Sequence, residues 1–93
     1  MAVLTDNQRQ SFVQNHRDWS LEGKTLMGEF EFEDFVDAMG FVTSVALLAE
    51  KAEHHPDIDI RWNTVRLALT THDEGDLTTK DTELADRIGS LYD

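Results

Sequence analysis

His54 and His55 stand side by side directly before the single proline of the chain, in Ala49-Glu50-Lys51-Ala52-Glu53-His54-His55-Pro56-Asp57. A third histidine, His72, follows in Leu69-Thr70-Thr71-His72-Asp73-Glu74, and both segments are rich in carboxylates. Imidazole is the side chain whose ordinary pKa lies near neutrality, so it both gives and takes protons in the physiological range. The grouping points to proton transfer, with a metal site as the competing chemistry. Adjacent histidines seldom aim both rings at one ion. No two histidines are three or four apart on one helix, as zinc-binding helices require, and this weighs against metal.

The elements that must position these residues follow from periodicity. Phe35, Ala38, Met39, Val42, Val45, Ala46 and Ala49 recur at three- and four-residue steps, which predicts a helix from about Glu33 with one apolar face. Gly40 either weakens it or admits a close neighbour. Pro56 ends it near Glu53, leaving His54 and His55 at its exit. Glu50 and His54 are four apart and Glu50 and Glu53 three apart, so the three share a face. A carboxylate beside an imidazole favours the protonated form, which equips His54 as a proton donor. Asp57 to Trp62 and Val65 to Leu69 each alternate and predict two antiparallel strands with a turn near Asn63. His72 is in phase with Arg66, Ala68 and Thr70, away from the Val65/Leu67/Leu69 face, and projects from a strand end.

The rest of the chain completes the frame. Thr5-Asp6-Asn7-Gln8 has capping-box spacing and opens a short helix to about Asn15, anchored by Phe12 and Val13. A strand from Asp18 to Glu22 points Trp19 and Leu21 the same way, and Glu22-Gly23 marks a tight turn. The next strand sets Leu26, Gly28, Phe30 and Phe32 against Met27, Glu29 and Glu31. Asp73-Glu74-Gly75-Asp76 reads as a loop. Thr78-Thr79-Lys80-Asp81 is a second capping box, opening a final helix with Leu84, Ala85, Ile88 and Leu91 inward. The order α-β-β-α-β-β-α predicts an α+β two-layer domain over residues 1–93: a four-stranded antiparallel sheet with helices on one face.

Plainer roles exist for several of these residues. A histidine near a helix end, such as His55, commonly serves as a cap or dipole partner. His16 is a polar residue between the first helix and first strand. Capping accounts for Asp81, solvation for Glu50 and Glu53, and core packing for Trp19.

Composition bounds the function classes. Ninety-three residues, 40% apolar and 9% aromatic, suit one folded core. Eight basic and nineteen acidic residues give a net charge of −11, which repels phosphate backbones and excludes nucleic acid as a partner. No apolar run approaches a membrane span, the N-terminus lacks the pattern of a signal peptide, and a cytoplasmic setting follows as the default. The absence of cysteine removes disulfides and thiolate chemistry.

Glu50-Lys51-x-x-His54-His55-Pro56-Asp57, then Trp62-Asn63-x-Val65 and Thr70-Thr71-His72, resemble the pterin-4a-carbinolamine dehydratases. The resemblance runs from the Trp19 strand through Phe30-x-Phe32-x-x-Phe35 to Leu77-Thr78-x-x-Asp81. Its specific part is His-His-Pro with a Thr-His seventeen residues on. It implies the same element order, no metal or organic cofactor, and dehydration of 4a-hydroxytetrahydrobiopterin to quinonoid dihydropterin in tetrahydrobiopterin recycling. By position, His54 and His72 match the proton-transfer pair. His55 matches a histidine that holds the pterin and shares in catalysis, and Glu50 and Glu53 match acidic neighbours of the imidazoles. Thr71, Asp73, Glu74 and Pro56 match stretches lining the pterin pocket, Asp81 a further acidic position near it, and Trp19 a wall. Ile58 and Gly75-Asp76 depart from the usual pattern and bear on substrate preference. The resemblance also implies a homodimer through edge strands or a homotetramer through helix packing. Its second class of function is a non-catalytic dimerisation or assembly module binding a protein partner.

Overall fold

Alternation, capping and the lone proline set the boundaries of the elements almost residue by residue. In the computed structural model, which describes residues 2–92, the chain runs α1 (Asp6–Asn15), β1 (Trp19–Glu22), β2 (Thr25–Glu31), α2 (Phe35–Ala52), β3 (Asp57–Arg61), β4 (Thr64–Leu69), a 3-10 turn (His72–Glu74) and α3 (Thr79–Tyr92). The four strands form one antiparallel sheet in the order β1-β2-β4-β3. This is the α+β two-layer fold that the sequence predicts. Among the described residues, no helix is long and apolar enough to cross a membrane.

Strand parity separates the faces of the sheet. Trp19, Leu26, Gly28, Phe30, Val65, Leu67 and Leu69 are buried beneath the helices, while Ser20, Glu29 and Arg66 face solvent. Gly28 pairs with Trp19 on one side and Leu67 on the other. A β-carbon there would lie 2.8 Å from Cζ3 of Trp19 and 2.9 Å from Cε2 of Phe30. The glycine is the gap into which the indole lies, edge-on to Phe30 at 5.7 Å.

The helices cover this face with somewhat different stripes from those that apolar spacing indicates. On α2 the buried residues are Ala38, Phe41, Val45 and Ala49. Phe35, Met39 and Ala46, expected inward, are exposed, and so is Gly40, which admits no neighbour. The physical reason is that α2 is apolar around more than one side, so its period identifies a helix without selecting the stripe that meets the sheet. Phe41 selects it, with ring centroids 4.9 Å from both Phe30 and Phe32. On α3 Leu84, Ala85 and Ile88 are buried as expected, but Leu91 is exposed. The stripe advances four residues from Ile88 to Tyr92, whose ring packs on Phe30, Phe32 and Phe41 and whose hydroxyl donates to the Glu31 carbonyl.

At the N-terminus the capping box forms as spaced: the Gln8 N–H donates to Thr5 Oγ1, and the Thr5 N–H donates to Gln8 Oε1. Leu4, buried just before it, donates its N–H to the Leu77 carbonyl and ties α1 to the approach of α3.

Gly28→Ala is expected to destabilise the fold by about 2 kcal/mol through overpacking against Trp19, read as a lower midpoint in urea with unchanged slope. An unchanged midpoint would mean that the indole has free room to move.

Candidate active site

The chain reverses sharply at the end of α2, and this reversal delivers the histidines. Glu53 caps the helix in the left-handed region, at φ 53° and ψ 40°, with its N–H on the Ala49 and Glu50 carbonyls. The His54 N–H also reaches the Ala49 carbonyl. That conformation is disfavoured for a residue with a β-carbon, and it turns His54 back toward α3 instead of onward into solvent. Pro56 and β3 follow at once.

His54 meets a buried carboxylate. Its Nε2 lies 2.5 Å from Oδ1 of Asp81, whose side chain has no exposure, while the imidazole is 11% exposed. Oδ2 of Asp81 accepts from the Thr78 N–H at 2.9 Å and from the Thr71 hydroxyl at 2.7 Å. Those bonds fix the direction of the remaining protons. With the Thr71 hydroxyl proton given to Asp81, the 2.8 Å contact between Thr71 and Thr78 hydroxyls has Thr78 as donor. Thr78 Oγ1 in turn accepts from the Lys80 N–H at 3.3 Å. Every donor points toward Asp81, so His54 presents Nε2–H to it. Nδ1 is then the nitrogen left to exchange a proton with a bound molecule.

The other imidazoles stand in wetter surroundings. His55 Nε2 is 2.6 Å from Glu50 Oε1, with both side chains largely exposed. Glu50 therefore partners His55 and not His54: the left-handed turn at Glu53 breaks the helical phase that would have stacked Glu50 under His54. His72 opens the 3-10 turn rather than extending β4, because the Glu74 N–H bonds the Thr71 carbonyl and Gly75, at φ 67°, closes the turn onto the His72 carbonyl. This turn is clamped at its exit. The Asp76 carbonyl accepts from the Thr71 N–H, and the Asp76 carboxylate takes a 2.7 Å bond from Arg9 of α1 and another from the Leu77 N–H. Hydrogen bonding to the Arg9 guanidinium, chiefly, and to the Leu77 N–H holds the Asp76 carboxyl below its ordinary range.

These segments enclose an open cleft of about 230 Å³ in which His54, His55 and His72 share the wall with Glu53, Thr71 and Asp73. Thr70 and Lys80 complete it. Neither is among the site residues expected from the sequence, although Thr70 stands in the Thr70-Thr71-His72 motif and Lys80 inside the capping box, beside Asp81. Asp81 lies beneath the wall as the support of His54. Glu50 flanks the cleft through His55, while Glu74 and the half-buried Pro56 are not part of its lining. Trp19 is not near it: the indole is 3% exposed in the core and borders a different cleft, with Asn15, His16 and Asp86. A larger cleft of about 390 Å³ on the open face of the sheet, crossed by the Glu29–Arg66 pair, holds no imidazole. Among the described residues, no group of three or more His, Asp or Glu side chains is arranged to hold a metal.

Comparison with known proteins gives a consistent picture. The family model described as pterin 4 alpha carbinolamine dehydratase matches residues 2–91. A Chloroflexus aurantiacus protein bearing the name of a pterin-4-alpha-carbinolamine dehydratase is 58% identical over 98% of each chain. A Prochlorococcus marinus protein of the same name is 44% identical over 98% of this chain and 96% of its own. Among solved structures, a transcriptional coactivator/pterin dehydratase from Brucella melitensis superimposes with a TM-score of 0.92 at 30% identity, covering 99% of this chain and all of the other. A pterin dehydratase-like protein identified as a RuBisCO assembly factor in the alpha-carboxysome superimposes with a TM-score of 0.70 at 25% identity, over 83% of this chain and 92% of the other.

Three measurements probe this geometry. Asp81→Ala strands the Thr71, Thr78 and His54 donors in the interior and is expected to cost about 3 kcal/mol in urea unfolding. Glu50→Ala, at an exposed pair, should change stability by less than about 0.5 kcal/mol. The Arg9–Asp76 pair predicts a pH effect of definite sign. A depressed carboxyl stabilises the fold above the unfolded Asp value of about 3.9 and loses that contribution as pH falls through the lower folded value. The wild type should therefore exceed Asp76→Asn in urea midpoint at pH 7, with the gap closing below about pH 4. A gap of constant size would rule out the charge as its source.

Proposed function

The chain belongs to the pterin-4a-carbinolamine dehydratase family, and on that footing we propose that it removes water from 4a-hydroxytetrahydrobiopterin by general acid–base catalysis. Hydroxide is a poor leaving group. Breaking the C4a–O bond requires an acid to protonate the departing hydroxyl while a ring nitrogen supplies the electron pair and a base takes the proton that nitrogen sheds. Water and quinonoid dihydropterin are the products, with no net change in oxidation state. His54 and His72 are the proton-transfer pair in this reading. His55, steadied by Glu50, holds the ring, with Glu53, Thr71, Asp73 and Lys80 around it.

The observation that carries the proposal is the His54–Asp81 hydrogen bond. A buried carboxylate with three convergent donors holds one imidazole nitrogen and leaves the other for a substrate, and such an orienting partner is what acid–base histidines require. Asp81 is accordingly a positioning residue.

A second reading, a protein-binding or assembly role, is favoured by a separate observation. Phe35, Val36 and Leu47 of α2 are at least half exposed, and among the described residues β3 has one edge without a partner strand. These surfaces equally support self-association as a dimer or tetramer.

His54→Ala and His72→Ala should each lower kcat/KM for carbinolamine dehydration by about 10²- to 10⁴-fold, with the far-ultraviolet circular dichroism of the wild type retained. Wild-type rates in both variants would overturn the enzymatic assignment. A stoichiometric protein partner together with no pterin turnover would establish the second reading.

A further inference from the structure

The chain carries a net charge of −11, yet one cleft runs against that balance. It lies between the end of α2 and the exposed side of α3, measures about 260 Å³, and is lined by Lys51, Lys80 and Arg87 against the single carboxylate of Glu83. Ala52 and Leu84 supply its apolar floor. Among the described residues none of these three cations forms an ion pair, although the chain offers more than two carboxylates for every basic group. Elsewhere among the described residues Arg9, Arg61 and Arg66 each take one, while Arg17 and Lys24 stand apart from one another without one; only in this cleft do unpaired cations gather. Cations gathered on one wall repel each other and gain when an anion comes between them.

The position of the cleft says what that anion belongs to. His54 and Lys80 line both this cleft and the imidazole cleft, so the two adjoin at these side chains. A neutral pterin ring offers these cations no charge, and a group that reaches them from the imidazole cleft must be on the side chain of the ring. We propose that the Lys51/Lys80/Arg87 cleft is an anion subsite, which takes a phosphate ester or carboxylate on the side chain of the pterin whose ring lies against His54. The inference rests on the pterin reading given above and adds to it a substrate class: pterins with an anionic tail. Arg87 supplies a planar fork and the two lysines point charges, a set suited to an oxyanion.

Direct binding tests this apart from turnover. Three stable dihydropterins that differ only in whether the side chain ends in a hydroxyl, a phosphate ester or a carboxylate are titrated calorimetrically into the intact protein. At low salt an anionic pterin should bind about tenfold more tightly than the neutral one, and added salt should erode the difference, since the cations are exposed. Lys51→Gln and Arg87→Gln should each remove most of that advantage and together abolish it, with affinity for the neutral pterin held within about twofold. Preference for one of the two anionic tails identifies its source. Equal affinity for all three pterins, or an advantage that survives in the double variant, sinks the subsite alone. Binding of none of them sinks the pterin reading and the subsite with it.

Discussion

A carboxylate cannot stay in a protein interior unless donors replace the water it has lost. Asp81 meets that condition with donors from three separate segments: the Thr78 N–H at the start of α3, the Thr71 hydroxyl just past β4, and His54 just past α2. The arrangement of this corner depends on it. Without a full acceptor at that point the end of α2, the end of β4 and the start of α3 would have no polar reason to converge, and His54 would have no fixed orientation. The Arg9–Asp76 clamp and the Leu4–Leu77 bond hold the same corner from the outside, so even α1, which carries no imidazole of the cleft, contributes to the placement of His72.

Much of this could be read from residue order, and the parts that could not have a common cause. Strand alternation, the Thr5 capping box and the stop at Pro56 are local effects, decided within a few residues, and they appear in the fold where spacing places them. Choices that depend on contact across the core were not legible. Phe41 faces inward, and the Tyr92 ring packs beside it, because both meet Phe30 and Phe32, elements away in sequence. Asp81 reads as a helix cap and is one in part, since it accepts from the Thr78 N–H; its second role needs a histidine twenty-seven residues earlier. Glu50 and His54 are in helical phase only until the left-handed turn at Glu53 intervenes, and nothing about a glutamate announces that conformation.

The three basic residues of the cleft beside the imidazoles illustrate how little a net charge says about a site. A surface dominated by carboxylates has a negative far field, which sets solubility and long-range repulsion. Within a Debye length, about 10 Å at moderate salt, the nearest side chains decide, and on the α3 side of His54 these include Lys51, Lys80 and Arg87 against the one carboxylate of Glu83. The same fold in the RuBisCO assembly factor that it resembles is a reminder that architecture alone does not assign chemistry; the proposed reading rests instead on the oriented imidazole of His54.

The two tryptophans occupy opposite extremes. Trp19 is sealed over Gly28 in the core, whereas Trp62, in the left-handed turn between β3 and β4, is 69% exposed. Their emission therefore divides naturally: a blue component shielded from acrylamide and a red component open to it. The blue component reports the packing of the sheet against its helices, and the red one reports whatever covers the β3–β4 turn, so a single unlabelled sample distinguishes loosening of the core from burial of that turn.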